Sequence, residues 1–290
     1  MRFHFGRIDA RARHGLTTAM RVLLGAGLLL AAPAASAACP EMPAMAAFAR
    51  AVLDRRAPEP FPDLTVEEAR CAQDRLVAFL AQPWGDAVGY GLRRHGLPAP
   101  SPVTLFHGTL RATSPARLPA AFGAVPAVQP DLLLRIGRDG IEAAGTDHVA
   151  LLLHLDQAIP FLALPDLLFA RAARPQDIIA ANGGVRLGVV GAPVAVEATP
   201  GFARALGTLT VVLSRDGQEV ARTPGGGAGG HPLDALALLL RELARQGRSP
   251  RPGEYLGIGG FAPPVAAAPG EHRLSLDGLP GARPVVLVLE

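Results

Sequence analysis

Few side chains in this sequence could act as acids, bases, nucleophiles or metal ligands, and one common type is missing. All 28 basic residues are arginine; no lysine occurs in 290 residues. That removes Schiff-base chemistry, a PLP anchor, a phosphate-loop lysine and a lysine general base. His107, His148, His154 and His231 could serve as ligands or bases. None of them stands at His-x-His or His-x-x-x-His spacing, so packing and surface roles are expected. No Gly-x-Ser-x-Gly elbow precedes a helix, which leaves a serine hydrolase without support. The glycine stretch from Gly225 to Gly230 resembles a phosphate loop but lacks the following lysine, and it reads as a connecting loop.

The two cysteines, Cys39 and Cys71, take their meaning from the N-terminus. Arg2, Arg7, Arg11, Arg13 and Arg21 precede the apolar run from Val22 to Ala32, and Ala35-Ser36-Ala37 follows with small residues. This is the layout of a secretory signal peptide over residues 1–37, with Met20 as a second candidate start. The apolar run is shorter than the roughly 20 residues that cross a bilayer, so no stable membrane anchor is expected after cleavage. The expected location is periplasmic or secreted. Cleavage takes away five arginines and Asp9, turning the formal net charge of +3 into −1 and leaving no electrostatic case for binding nucleic acid. In an oxidising compartment Cys39 and Cys71 could form one disulfide, with two buried free thiols as the alternative.

With 49% hydrophobic and 18% charged residues, the chain is too apolar for disorder and has the length of one large domain or two small ones. Apolar residues recur at three- and four-residue spacing over 43–56 and 65–82, predicting two amphipathic helices in an N-terminal helical region, residues 38–87. Thr65 and Glu68 have capping-box spacing at the start of the second. From residue 88 to 290 the texture is β-rich, with strands predicted over 103–107, 132–136, 208–213, 255–258 and 285–289. Arg-Asp-Gly at 138–140 and at 215–217 reads as hairpin-turn chemistry. One strong helix, 232–246, interrupts the strands and stops at Gly247. The fold class is α+β, with N-terminal helices and a curled, mostly antiparallel sheet. Trp84 and Tyr90 are expected in the core.

Five segments appear in an order that resembles the 2-keto-4-pentenoate hydratase branch of the fumarylacetoacetate hydrolase superfamily. They are Phe161 to Leu167, Asp177 to Gly184, Gly229 to Leu236, Leu243 to Arg248, and the two Pro-Gly-acid turns at Pro252 and Pro269. The similarity runs from about Thr65 to Glu290. It implies the superfamily's C-terminal fold, often as a homo-oligomer, and a Mg²⁺ or Mn²⁺ ion held by three carboxylates to polarise a 2-oxo acid. A hard cation wants oxygen ligands and acts as a Lewis acid on developing oxyanion charge.

Carried over residue by residue, that pattern is broken. The Glu-x-Glu pair falls on Gln129 and Asp131, the third glutamate on Ala163, and the functional lysine on Gly91. Only Asp131 keeps a charge, so any Mg²⁺ or Mn²⁺ is expected to bind weakly or not at all. Asp166, three residues beyond Ala163, is the candidate substitute ligand, with Glu142 as another; a turn role after Pro165 is the alternative for Asp166. Two functions follow. One is a non-catalytic descendant that binds a small organic acid or a protein partner. The other is an active hydratase or C–C lyase of a 2-oxo acid using a rearranged site. The losses at Gly91, Gln129 and Ala163 favour the first.

Overall fold

A computed structural model describes residues 39–94, 100–110, 112–169, 173–224 and 230–290. The signal-peptide segment and most of the 225–230 glycine stretch lie outside the described residues. Helix α1 (Met42–Leu53) buries Met45, Phe48, Ala49 and Val52 along one stripe. Helix α2 (Val66–Trp84) begins at the capping box read from the sequence: Thr65 Oγ1 accepts the Glu68 N–H at 3.1 Å, and Glu68 Oε2 accepts the Thr65 N–H at 2.8 Å. A disulfide joins Cys39, ahead of α1, to Cys71 inside α2. The two helices are not a separate body. Their apolar faces share a cluster with Phe106, Leu168, Ile179 and Ala180, within one compact unit of residues 37–290.

The chain then enters β1 (Ala87–Arg93) and β2 (Ser101–Phe106), followed by the short β3 (Ala112–Thr113) and β4 (Ala116–Leu118). Strand β5 (Ala127–Ile136) crosses the centre and is followed by α3 (His148–Leu153) and β6 (Leu155–Leu164). Next come α4 (Pro175–Ala180), β7 (Leu187–Val190), β8 (Val194–Ala195), α5 (Pro200–Thr208), β9 (Thr210–Arg215) and β10 (Gln218–Pro224). Helix α6 (Pro232–Arg245), β11 (Tyr255–Ile258), β12 (Val265–Ala266), β13 (Gly270–Asp277) and β14 (Val285–Leu289) complete it. A nine-stranded sheet runs β2-β1-β11-β5-β6-β7-β3, with β12 on β5 and β8 on β6, and a five-stranded sheet runs β10-β9-β13-β14-β4. Pairing is antiparallel except for β1–β11, β3–β7 and β4–β14, so the expected α+β class holds. No helix among the described residues is long and apolar enough to cross a membrane.

The five predicted strands are present, two of them, β2 and β5, longer than read. The 215–217 turn closes the β9–β10 hairpin, with Asp216 at φ 50° and Gly217 at φ 78° as a two-residue primed turn requires. The 138–140 turn does not close a hairpin. Gly140 (φ 83°) feeds a 3₁₀ turn and α3 before the chain returns as β6. Helices α3 and α5 were not predicted; they are six and nine residues long and owe their starts to the side chains of Asp147 and Thr199, which cap Ala150 and Phe202. Helix α6 starts at His231, whose Nδ1 accepts the Leu233 N–H at 3.0 Å while Nε2 donates to the Ala203 carbonyl at 2.9 Å. His148 bonds Asp234 and His154 bonds the Asp139 carbonyl, so these histidines serve capping and packing.

The main core lies between the two sheets and against α6, whose Leu233, Leu236, Leu239 and Leu243 are fully buried. Strand β5 is buried at nine of its ten positions, and it forms the longest strand pair with β6. On its other edge β12 covers Ala127 and Val128, and β11 covers Leu132 to Arg135. Residues 129–131 therefore sit in a gap on that edge. Pro130, which has no N–H to offer a partner, is tolerated there.

Reducing the Cys39–Cys71 bond, or replacing both cysteines with serine, opens a loop of 32 residues' separation. The expected loss in unfolding free energy is roughly 3–4 kcal/mol. Thermal unfolding with and without reductant measures it, and identical melting curves would show that the bond does not restrain the unfolded chain.

Candidate functional site

Beside the gap, the buried part of β5 carries two polar side chains. Residues two apart on a strand share a face, and Gln129 and Asp131 do so, 3% and 4% exposed. Across the ladder Gln129 faces Ala163 and Asp131 faces Phe161. Burying an amide and a carboxylate this deeply costs free energy unless each finds a partner.

The partner is Arg93, at the end of β1. Its Nη1 donates to Gln129 Oε1 at 3.0 Å and lies 3.3 Å from Asp131 Oδ2. Arg93 belongs to the same face of β1 as Gly91, the position matched to the family's lysine. At Gly91 itself there is no room for a long side chain. A Cβ there would lie 3.2 Å from Val103 Cγ2, and only about 10 Å³ stays open among Gly91, Asp131 and Phe161. The cation therefore enters from two residues further along. Reasoning from the sequence missed Arg93, although its spacing from Gly91 was the available signal.

Glycines make the seat. A Cβ on Gly183, which has φ 62°, would lie 2.6 Å from both Arg93 Cγ and Val103 Cγ1. A Cβ on Gly259 would lie 2.7 Å from Asp131 Oδ1. Burial pushes the Asp131 carboxyl up to about 7, against the charge of Arg93 and hydrogen bonds from Arg93 and the Gly260 amide, which pull it down.

Asp166, the candidate substitute ligand, is held by backbone amides. Its Oδ2 accepts the Ala124 N–H at 2.8 Å, and its Oδ1 accepts the N–H groups of Val125 at 2.8 Å and Leu168 at 3.1 Å. These bonds hold the approach to β5, and Gly123 packs so closely that a Cβ would collide with the carboxylate. Glu142 is exposed and faces a different groove, beside Asp234 and α6. Trp84 packs edge-on against Phe106, and neither it nor Tyr90 lines the cavity at Gln129.

The donor set does not fit a divalent cation. Of the three carboxylate positions that the resemblance supplies, one is an amide whose oxygen is taken by Arg93, one is a carboxylate paired with the same guanidinium, and one is alanine. Among the described residues no group of three or more His, Cys, Asp or Glu side chains is placed to hold a metal. A cavity of about 400 Å³ opens over Arg93 and Gln129, with Pro165, Leu167, Leu168, Phe169, Ile178 and Pro264 among its walls.

No protein-family model matches the chain. It is 26% identical to a 2-keto-4-pentenoate hydratase of Paraburkholderia xenovorans (strain LB400) over 225 residues, 73% of this chain and 80% of that one. A 4-oxalocrotonate decarboxylase of Pseudomonas putida is 37% identical over 67 residues, 23% of this chain and only 25% of the relative. Among solved structures, the 4-oxalocrotonate decarboxylase from Pseudomonas putida G7 complexed with magnesium and adipate superposes with a TM-score of 0.72 at 19% identity, covering 86% of this chain and 96% of that one. The same enzyme complexed with calcium and acetate gives 0.71. The architecture is that of the fumarylacetoacetate hydrolase superfamily. In sequence the chain is similar to 2-keto-4-pentenoate hydratases along most of its length, which makes it hydratase-like.

A carboxyl whose folded pKa lies above its unfolded value holds its proton more tightly in the folded chain. Its contribution to stability is then greatest at low pH and declines as pH rises from about 4 through 7. For Asp131 the decline is on the order of 4 kcal/mol. Asp131→Asn removes it, so the variant gains on the native protein as pH rises from 5 to 8 in denaturant titrations. A stability difference that is flat over this range would show that Asp131 titrates normally.

Proposed function

We propose that this hydratase-like protein is an exported, non-catalytic binder of small organic acids. The observation that carries this reading is the Arg93 guanidinium lying on Gln129 and Asp131, where the resemblance puts two ligands of a divalent ion. A Lewis acid is what such relatives bring to a 2-oxo acid, and a guanidinium cannot withdraw electrons by coordination in that way. It can hold a carboxylate in place. The magnesium–adipate and calcium–acetate complexes of the structural neighbour make carboxylic acids the first ligands to try. Export is supported by the Cys39–Cys71 bond, because oxidising compartments preserve disulfides.

Two measurements test this. Titration calorimetry with Mg²⁺ and Mn²⁺ should show no binding tighter than about millimolar, and assays with 2-keto-4-pentenoate should show no turnover. Metal binding in the micromolar range that disappears in Asp131→Ala, together with turnover, would establish the active lyase instead. For export, N-terminal sequencing of protein recovered from the periplasm should begin after Ala37; a start at Met1 or Met20 would refute cleavage.

A further inference from the structure

Two buried donors on side chains that line the cavity lack acceptors. Gln129 is 3% exposed; its oxygen is fixed by the bond from Arg93, and its Nε2 has no hydrogen-bond partner. Arg93 Nε is also buried without a partner, while 13% of the arginine side chain remains open. Unpaired buried donors are costly and are normally satisfied. Here they share one end of a cavity of about 400 Å³, within the size range of small-molecule sites. The walls away from this end are apolar, with Pro165, Leu167, Phe169, Ile178 and Pro264 among them, and the Asp166 carboxylate is occupied by backbone amides.

We propose that Arg93 is a built-in replacement for the metal, and that its guanidinium directly holds the carboxylate of an acid with a single charged end and an apolar chain. This rests on the acid-binding reading above and adds how the acid is held and which acids fit. A negative charge is what a partly open cation with one anionic neighbour can still attract. A second carboxylate at the far end would lie among Phe169, Ile178 and Pro264, where none of the described side chains in the walls can pair with it. Asp131 competes with the ligand for the same guanidinium, so removing its charge strengthens binding, which a purely structural Asp131 would not do.

Calorimetry in EDTA tests the proposal with hexanoate, its uncharged amide hexanamide, and adipate. Native protein should bind hexanoate in the absence of metal and bind adipate and hexanamide roughly tenfold or more weakly. Asp131→Asn should bind hexanoate more tightly than native protein. The double variant Arg93→Met with Asp131→Asn leaves no unpaired buried charge, and it should lose at least about tenfold in affinity for hexanoate while still melting cooperatively. Hexanoate bound by the native protein but equally well by the double variant would overturn the role of Arg93 and leave the acid-binding reading standing. Binding that appears only with added Mg²⁺ would overturn metal replacement, and adipate binding as tight as hexanoate would overturn the single charged end. If none of the carboxylates binds, the proposal and the acid-binding reading fail together.

Discussion

A carboxylate on a strand buried along nearly its whole length has to be paired or neutralised, and the surroundings of Asp131 answer that requirement. The fold brings Arg93 to it from β1, which reaches the site through β11 lying between β1 and β5. Both routes to relief operate together. The guanidinium offsets the charge, and the carboxyl shifts towards its neutral form. A buried ion pair does not repay its desolvation easily, so the pair is poor evidence for stability and better understood as part of a site.

Arg93 in turn depends on a clasp outside the sheet. Asn182, 1% exposed and at φ 51°, accepts the Thr104 N–H at 2.8 Å and donates to the Thr104 carbonyl at 2.9 Å, standing in for the missing neighbour of edge strand β2. Gln73 of α2 bonds both Asn182 and the Pro102 carbonyl, so the N-terminal helices, β2 and the turn after α4 are tied at one point. Gly183 follows directly and leaves the space that the Arg93 stem fills. The loop that completes the cavity wall is held separately by Asp166, with Arg186 close by at 4.0 Å. A rigid floor and an anchored wall are what keep a small cavity open in an otherwise packed interior.

Much of this was legible from local pattern. The amphipathic period of α1, α2 and α6, the capping box at Thr65 and the Asp216-Gly217 turn are properties of short stretches, and they appeared where expected. The same-face placement of Gln129 and Asp131 follows from the two-residue period of a strand. Strand β6 was not read as a strand: Pro160 sits in its middle, and that residue fits because it falls between the stretches paired with β7 and with β8. Arg93 escaped notice for a related reason. Its distance from Gly91 is visible in the sequence, but its meeting with Gln129 and Asp131 depends on the register of β1, β11 and β5, which no single segment encodes. For Asp166 the turn role was open beside the ligand role, and what local pattern does not show is that two of the three amides it accepts come from a loop some forty residues away.

On the proposed reading, the absent lysine and the altered ligand positions belong to one physical change. Three carboxylates crowded on buried strands are tolerable only with a divalent cation between them, since like charges at close range raise one another's pKa and destabilise the fold. With an amide at 129 and alanine at 163, the remaining negative charge is a single carboxylate, and a single guanidinium matches it. Mg²⁺ demands near-octahedral oxygen ligation, whereas arginine asks only for acceptors lying in or near its plane. A site rebuilt as proposed would give up polarisation by a metal and keep a fixed positive charge beside a cavity. Gly91 fits the same account: a lysine there would have nowhere to go between Val103 and Phe161, and its charge would duplicate the one that Arg93 already supplies.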